Sequence, residues 1–259
     1  MNDERIRAIL DEVAAEFGMP NAPDVDNDWV LTESARRVLV ENVSEPHCIA
    51  PLIDHTLLKP NATENDIRRI CEEAIEYRFA SVCVNPCWVL FAAESLGNSN
   101  SMVCTVVGFP LGANTTEIKA EEAIRAVEDG ADELDMVMNI GAAKSAEWET
   151  VYADIASVVD AAFPVPVKVI LETAILIDEE IIRACAISAS AGAAYVKTST
   201  GFSKGGATVE AVEIMSKTVG DKLGVKASGG IGDFEKAMSM IKAGATRIGA
   251  SRSLTIIGL

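Results

Sequence analysis

The chain has 259 residues, of which 49% are hydrophobic and 24% are charged, so it is long enough to bury a substantial core. Its formal net charge of -17 argues against nucleic acids and anionic membrane surfaces as default partners. The six cysteines show no zinc-like pairing, and neither a targeting segment nor a bilayer-spanning apolar run is visible. We therefore expect a soluble, cytoplasmic protein with reduced thiols.

The first 49 residues differ in pattern from the rest of the chain. We predict a helical extension over 1–49, followed by one main domain over 50–259. Apolar residues at helical spacing predict a helix from about Ile6 to Phe17, which Gly18 and Pro20 end. A polar loop over 21–28 and a second helix over 32–43 complete the extension. Because it could lie at a subunit contact, a homo-oligomer stays open.

A strict alternation of short β-rich runs and helical patterns begins at Ala50 and predicts eight strands. Continuous apolar strands are typical of a parallel sheet that is buried on both faces. Eight successive β-α units predict an α/β fold, a single TIM (β/α)8 barrel. The predicted strands cover 51–56, 80–85, 102–108, 133–139, 167–173, 195–200, 224–228 and 247–251. Only Ser253 to Leu259 remains after the last strand and its turn, so the final helix should be short or absent.

Polar residues at the ends of the predicted strands are candidates for a site, because active sites of TIM barrels lie at the C-terminal ends of the strands. The first strand provides Asp54, His55 and Thr56, and the sixth provides Thr200. We expect His55 to orient its neighbours rather than to act as an acid or a base. The chain has two histidines only, so a histidine-rich metal site is not available.

A carboxylate on the fourth predicted strand is a candidate catalytic group. Period-two alternation places Asp135 on one face of this strand and the bulky Leu134 and Met136 on the other, where they can pack against helices. Asp135 should therefore face the interior of the barrel, where a buried carboxylate needs a cationic partner. A lysine across the barrel is the natural partner, and the contact is compatible both with charge neutralisation and with proton transfer.

Two lysines lie at the ends of successive predicted strands, Lys197 on the sixth and Lys226 on the seventh, each before a turn rich in Gly, Ser and Thr. An isolated ammonium group is costly to bury, so lysine is a poor choice within a sheet. If the strands are neighbours, the two ammonium groups repel, and this repulsion lowers the pKa of a lysine. A neutral amine is a nucleophile towards carbonyl carbon, so the pair predicts a Schiff-base enzyme.

Glycine-rich turns follow the last three predicted strands. TIM barrels often hold a phosphate between the loops of strands 7 and 8, where glycines let backbone N–H groups approach the anion. A serine in the last turn can add a hydroxyl donor. The turns therefore predict a phosphate site that includes Gly201, Gly229, Gly230, Gly249 and Ser251.

Taken in order, these motifs resemble the deoxyribose-phosphate aldolase family over about residues 53–251. The stretches that carry the resemblance are 53–60, 81–86, 107–112, 133–137, 195–201 and 225–230. The resemblance implies a TIM-barrel class I aldolase that reversibly cleaves 2-deoxyribose 5-phosphate to glyceraldehyde 3-phosphate and acetaldehyde in deoxyribonucleotide catabolism. It also implies that no metal or other cofactor is used, and that the partners are small phosphorylated sugars and aldehydes.

The resemblance further implies roles for individual residues. Lys197 matches the Schiff-base lysine of the family, and Lys226 matches the second lysine, which keeps the first one neutral. Asp135 matches the acid–base aspartate. Cys83 matches a cysteine near the site that turnover does not require, and the glycine-rich turns match the phosphate-binding positions.

Three features depart from the family pattern. Lys204 stands where many members have a small polar residue, and Arg252 stands where a serine is usual. Both add positive charge near the expected phosphate, so we count them among the phosphate-binding residues. The chain ends at Leu259 without the longer tail that brings a tyrosine to the active site in some members, so proton transfer should proceed without such a residue.

Two other functions stay open at this point. Another phosphate-binding barrel enzyme, an isomerase or a synthase, would share the glycine-rich loops but would not need paired lysines. A barrel that only senses a sugar phosphate would need no catalytic set at all. Borohydride trapping with a substrate aldehyde distinguishes the first alternative, and a turnover assay distinguishes the second.

Overall fold

The computed structural model describes residues 3–18, 40–41, 43 and 45–259. Eight parallel strands pair in sequence order, and the first pairs with the last to close a barrel. The predicted TIM barrel is therefore confirmed. The strands are β1 (Ile53–Leu57), β2 (Ser81–Val84), β3 (Met102–Val107), β4 (Glu133–Val137), β5 (Val167–Ile170), β6 (Tyr195–Lys197), β7 (Gly224–Ser228) and β8 (Arg247–Ala250).

Helices surround the barrel and connect its strands. Within the described ranges they are α1 (Asp3–Phe17), α2 (Glu64–Tyr77), α3 (Val89–Leu96), α4 (Thr116–Glu128), α5 (Ile140–Lys144), α6 (Trp148–Ala162), α7 (Asp178–Ser190), α8 (Val209–Val219), α9 (Phe234–Ala243) and α10 (Ser253–Ile256). As predicted, the last one is short. Across the part of the chain that the structure describes, each helix is too short or too polar to cross a membrane.

Helix α2 illustrates how the local sequence sets an element. Its N-cap Thr63 accepts a hydrogen bond from the backbone N–H of Asp66, and the Asp66 carboxylate accepts one from the backbone N–H of Thr63. This capping box satisfies N–H groups that have no partner within the helix. Ile67 and Ile70 are buried on its inner face. The C-cap residue Arg78 adopts the left-handed conformation and ends the helix after Tyr77.

The alternation along each strand divides the side chains between two layers. On β4, Leu134 and Met136 belong to the main hydrophobic core between the barrel and the helices. Glu133 and Asp135 point into the lumen, where they meet cationic side chains. The predicted orientation of Asp135 is therefore confirmed, and the lumen of this barrel is polar near its centre.

The N-terminal helix packs on the outside of the barrel. Ile6, Ile9 and Val13 are buried, and α1 lies against α7, where Arg183 pairs with Glu12. This confirms the first helix of the predicted extension. Pro20, the predicted loop over 21–28 and most of the predicted helix over 32–43 lie outside the described residues.

Several predicted strands are too long at their C-terminal ends. The strand predicted over 167–173 ends at Ile170, because Glu172 has a positive φ of 58° that no regular strand accommodates. A turn of 3₁₀ helix, Thr173–Ile175, follows directly. Thr200 likewise follows β6 rather than ending it. Thr200 and Ser251, which the sequence places within strands, therefore lie in the loops that follow them.

Candidate active site

The two lysines that the sequence singles out are neighbours in the sheet. Lys197 and Lys226 are register partners on β6 and β7, so both side chains enter the lumen at the same level. The Nζ atom of each lies 2.6 Å from Oδ2 of Asp135, which reaches them from β4. The predicted proximity of these three side chains is therefore what the fold produces.

A further lysine on β5 completes the surroundings of this aspartate. The Nζ atom of Lys168 is 3.1 Å from Oδ1 of Asp135 and 2.7 Å from Oε2 of Glu133. Asp135 therefore uses one carboxylate oxygen for Lys168 and the other for the lysine pair. Because Lys168 is fully buried, its ammonium group depends on these carboxylates for compensation.

An arginine forms the lower part of the same network. Arg247 donates to Oδ1 of Asp54 at 2.7 Å and to both carboxylate oxygens of Glu133 at 3.0 and 3.2 Å. Lys226 contacts the other oxygen of Asp54. Gly249 on β8 makes this possible, because a Cβ atom there would lie 3.1 Å from Cε of Lys226 and 2.9 Å from Cβ of Ser228.

The network fixes the charge of its members. Burial alone raises the pKa of Asp135, but Lys168, Lys197 and Lys226 outweigh burial and hold it well below its usual range. Burial alone lowers the pKa of Lys226, but the carboxylates of Asp135 and Asp54 raise it above its usual value. Asp135 is therefore an anion and Lys226 a cation throughout the neutral range.

A count of the buried charges shows which lysine need not be positively charged to balance the carboxylates. Within the described part of the barrel interior, the ion pairs join three carboxylates and four cationic groups. For Lys168 and Arg247, as for Lys226, burial favours the neutral form, but the facing carboxylates raise the pKa well above the usual range. These three cations balance the carboxylates of Asp54, Glu133 and Asp135 without the fourth group, Lys197.

A cavity of about 530 Å³ opens above this network at the C-terminal end of the strands. Lys197, of which 3% is exposed, is the member of the network that reaches the cavity wall. The wall is otherwise built by the C-terminal ends of β1, β7 and β8 and by the loops after β1, β6, β7 and β8: Thr56, Leu57, Leu58, Lys59, Thr200, Gly201, Phe202, Ser228, Gly229, Gly230, Ile231, Gly232, Gly249, Ala250, Ser251 and Arg252.

Most of the predicted binding residues lie on this wall, and three do not. Asp54 and Cys83 are fully buried, since strand alternation directs both into the lumen below the cavity, where Asp54 is held by Arg247. Lys204 is exposed and lies off the wall. The cavity wall takes only Thr200, Gly201 and Phe202 from this loop, and two residues after Lys204 the backbone of Gly206 packs against the carbonyl group of Gly229.

The side chain of Arg252 lies beside Gly232, another residue of the cavity wall. A Cβ atom on Gly232 would lie 3.6 Å from Cδ and 3.7 Å from Nη1 of Arg252, so the arginine side chain runs directly along this backbone. Arg252 and Lys59 are exposed cations on the wall. This edge of the mouth is therefore positively charged, in contrast to the acidic molecule as a whole.

Several residues of the site do not follow from the sequence analysis. Lys168, Glu133 and Arg247 belong to the ionic network but are not among the candidates that the sequence predicts. Phe202, which is 54% exposed on the wall, meets the ring of Phe109 edge-on at 5.2 Å and 85°. A lysine within an apolar strand was an available signal for Lys168, whereas nothing in the pattern identifies the aromatic contact.

Two groups of side chains have ligand atoms close enough together to hold a metal ion, among the residues described. One consists of Cys83, Cys104 and Asp135, and the other of Asp54, Cys104 and Glu133. In both, the carboxylates are already paired with ammonium or guanidinium groups. These cations repel a metal ion, so the donor sets suit the ionic network better than metal binding.

The fold and the arrangement of these side chains are those of a TIM-barrel aldolase that works with a lysine amine. The comparison with known families agrees: a sequence profile of the DeoC/LacD family aldolases matches residues 48–258. The chain belongs to this family, and the resemblance noted from its motifs is confirmed.

Individual relatives extend the comparison. The chain is 58% identical to a deoxyribose-phosphate aldolase of Enterococcus faecalis over 80% of its own length and 94% of the relative. A crystal structure of a protein described as a deoxyribose-phosphate aldolase from Coccidioides immitis superposes with a TM-score of 0.83 at 39% identity, covering 99% and 97% of the two chains. A deoxyribose phosphate aldolase from Aeropyrum pernix, described as a tetramer, superposes with a TM-score of 0.77 at 36% identity. The match covers 86% of this chain and 94% of the relative.

Proposed function

We propose that this chain is a class I aldolase that reversibly cleaves 2-deoxy-D-ribose 5-phosphate to D-glyceraldehyde 3-phosphate and acetaldehyde through a Schiff base on Lys197, in deoxyribonucleotide catabolism. The observation that carries the proposal is the charge balance of the barrel interior. Three cations match three carboxylates, so the charge balance of the interior does not need Lys197, which lies at the cavity wall. The relative from Enterococcus faecalis, named for this activity, supports the choice of substrate.

The first step is the attack of the neutral Lys197 amine on C1 of the open-chain sugar. The Nζ–C1 bond forms, and loss of the C1 oxygen as water leaves an iminium. Asp135, whose Oδ2 atom is 2.6 Å from Nζ, accepts and returns the protons that move during this dehydration, through a water molecule. Lys226 keeps its proton and acts through its charge.

Carbon–carbon cleavage follows because the iminium accepts electrons. A base removes the proton of the C3 hydroxyl, C3 becomes a carbonyl carbon, and the electron pair of the C2–C3 bond moves to C2 to give an enamine. A water molecule held by Asp135 and Lys226 is the base. Glyceraldehyde 3-phosphate leaves, the enamine is protonated at C2, and hydrolysis of the iminium frees acetaldehyde and the amine.

The direct test is the release of acetaldehyde from 2-deoxyribose 5-phosphate, followed with alcohol dehydrogenase and NADH. We expect acetaldehyde and glyceraldehyde 3-phosphate in equal amounts. An isomerase or synthase would release no acetaldehyde and would not be trapped by borohydride. A barrel that only senses sugar phosphates would bind the substrate without turning it over.

The charged edge of the cavity is the proposed phosphate subsite. We expect Arg252→Met to lower kcat/KM for 2-deoxyribose 5-phosphate about 10- to 100-fold, the effect of one charge-assisted hydrogen bond. Cleavage of unphosphorylated 2-deoxyribose should not change, because that substrate has no group to meet the guanidinium. The matched control is Lys204→Met, which removes an exposed cation that does not line the cavity. An equal loss in both variants would contradict the subsite.

We expect activity to survive exhaustive chelation with EDTA. The iminium takes the place of a Lewis-acid metal as the electron sink, and the carboxylates of both candidate metal clusters are already ion-paired. The measurement is kcat/KM before and after chelation, with metal content determined on the same sample. Loss of activity that a divalent ion restores would rule out the Schiff-base proposal.

The cytoplasmic location and the oligomeric state belong to the same proposal. Its substrate is an intermediate of nucleotide breakdown, which agrees with a cytoplasmic enzyme. The description of the Aeropyrum pernix relative as a tetramer supports a homo-oligomer. Light scattering of the purified protein tests the oligomer, and a monomer at micromolar concentration would contradict it.

A further inference from the structure

A second polar cluster lies on the outer side of strand β1, between the barrel and the helices. The Nε2 atom of His55 is 2.6 Å from Oε2 of Glu73 on α2, and its Nδ1 atom is 2.8 Å from Oγ of Ser253 on α10. His55 and Ser253 are buried, with 4% and 0% exposed, and the imidazole packs on the ring of Phe79. The mechanism described above uses none of these groups.

The cluster has the order of a hydroxyl, an imidazole and a carboxylate, but it cannot act on a substrate. The Ser253 hydroxyl has no exposed surface, so no carbonyl group can reach it. Burial lowers the pKa of His55 despite the hydrogen bond with Glu73, so the imidazole is neutral at physiological pH. Its single N–H then points to the carboxylate, and Nδ1 accepts a hydrogen bond from the serine.

What the cluster does hold is one end of the cavity wall. Ser253 directly follows Gly249–Arg252, four consecutive residues at the end of β8 and in the loop after it that line the cavity. Its Oγ atom also lies 3.1 Å from the carbonyl oxygen of Ala250. His55 is the register partner of Ala250, and the next residue, Thr56, is on the wall. The contact therefore joins β1 to the start of α10, directly after the loop that forms the charged edge of the cavity.

We propose that the hydrogen bond between His55 and Ser253, backed by Glu73, holds the loop after β8 in the conformation that binds the phosphate group of the substrate. His55 and Ser253 are positioning residues, because they act through Ser251 and Arg252 and touch no substrate. The inference rests on the proposed function, since it assigns this loop to the phosphate. It predicts that loss of the contact impairs phosphorylated substrates selectively.

Ser253→Ala is the most conservative test, because it removes one hydroxyl and keeps a residue that favours helices. We expect KM for 2-deoxyribose 5-phosphate to rise about 2- to 10-fold, as for the loss of one hydrogen bond, with kcat/KM for unphosphorylated 2-deoxyribose unchanged. The matched control is Ser188→Ala on α7, an equally buried hydroxyl that donates to Ala184. This control should leave the kinetic constants for both substrates unchanged.

Two substitutions of the histidine separate its two contacts. An asparagine amide can take the place of Nδ1, whereas a glutamine amide can take the place of Nε2. We therefore expect His55→Asn to keep most of the preference for the phosphorylated substrate and His55→Gln to lose it. The double variant His55→Gln/Ser253→Ala should raise KM for the phosphorylated substrate no further than either single variant does. The two substitutions remove the same hydrogen bond, so their effects should not add.

A binding measurement without turnover keeps the inference separate from the proposed reaction. Inorganic phosphate should raise the melting temperature of the wild-type protein and of Ser188→Ala more than that of Ser253→Ala. If the wild type cleaves neither sugar, the proposed function fails while this comparison still decides the role of the contact. Equal losses on both sugars, or equal stabilisation of all variants by phosphate, would overturn the positioning role.

Discussion

Lys197→Ala is expected to lower the cleavage of 2-deoxyribose 5-phosphate by on the order of 10⁴- to 10⁶-fold, as removal of a covalent nucleophile does in other enzymes. The amine is the only network member on the cavity wall, so no other described group of the ionic network can form the iminium in its place. The fold should survive, because Asp135 keeps its contacts with Lys168 and Lys226. Circular dichroism and thermal melting check this.

Covalent trapping identifies the nucleophile independently of the rate. Reduction with borohydride in the presence of acetaldehyde should leave an ethyl group on Lys197, and Lys197→Ala should take up none at the site. The control is Lys59→Ala, which removes the other lysine of the wall and should still be trapped at Lys197. An ethyl group found on Lys226, Lys168 or Lys59 instead would refute the assignment.

The barrel could be predicted from the sequence because its signal repeats. Eight β-α units each carry a local pattern, so an error in one does not change the architecture. The ends of the strands could not be predicted, because a polar residue after a strand and one within its last turn look alike in sequence. Glu172 shows this, because its left-handed conformation is not that of a strand, although the β-rich sequence pattern continues to Thr173.

The core of the candidate site could also be predicted, since lysine and aspartate are unusual inside a sheet. The same argument applies to Lys168, but the apolar residues on both sides of it make its strand resemble a continuous apolar run. Glu133 and Arg247 needed knowledge of contacts across the barrel, which join residues more than one hundred positions apart. Strand alternation then explains why Asp54 belongs to this network rather than to the cavity wall.

Loop side chains were the least predictable part. Arg252 and Lys204 look equivalent in sequence, because both are cations in glycine-rich turns near the expected phosphate. The structure separates them, since Arg252 runs along Gly232 to the wall and Lys204 lies outside it. No periodicity governs side-chain direction in a loop, so the packing of neighbouring loops decides the outcome. The contact of His55 with Ser253, 198 positions away, could not be predicted either, because it depends on how distant segments pack together.

Lys226→Leu is expected to move the acid limb of the pH–rate profile to higher pH by at least about one unit, the effect of removing a like charge from a neighbouring amine. The carboxylates of Asp135 and Asp54 raise the pKa of Lys226, so it stays positive across the neutral range. Without this cation, Lys197 keeps its proton to a higher pH, and less of the enzyme is active near neutrality. Part of the lost rate should therefore return in alkaline solution.

The matched variant for this prediction is Lys226→Arg, which keeps the positive charge. Because Gly249 packs against the lysine side chain, the larger guanidinium should crowd this level of the barrel and lower the maximal rate. The acid limb should nevertheless stay where it is in the wild type, since the charge beside Lys197 is retained. The measurement is kcat/KM for 2-deoxyribose 5-phosphate across the stable pH range, which reports the ionisation of the free enzyme. A uniformly lower rate in Lys226→Leu with an unshifted acid limb would mean that Lys226 donates a proton directly instead of holding Lys197 neutral.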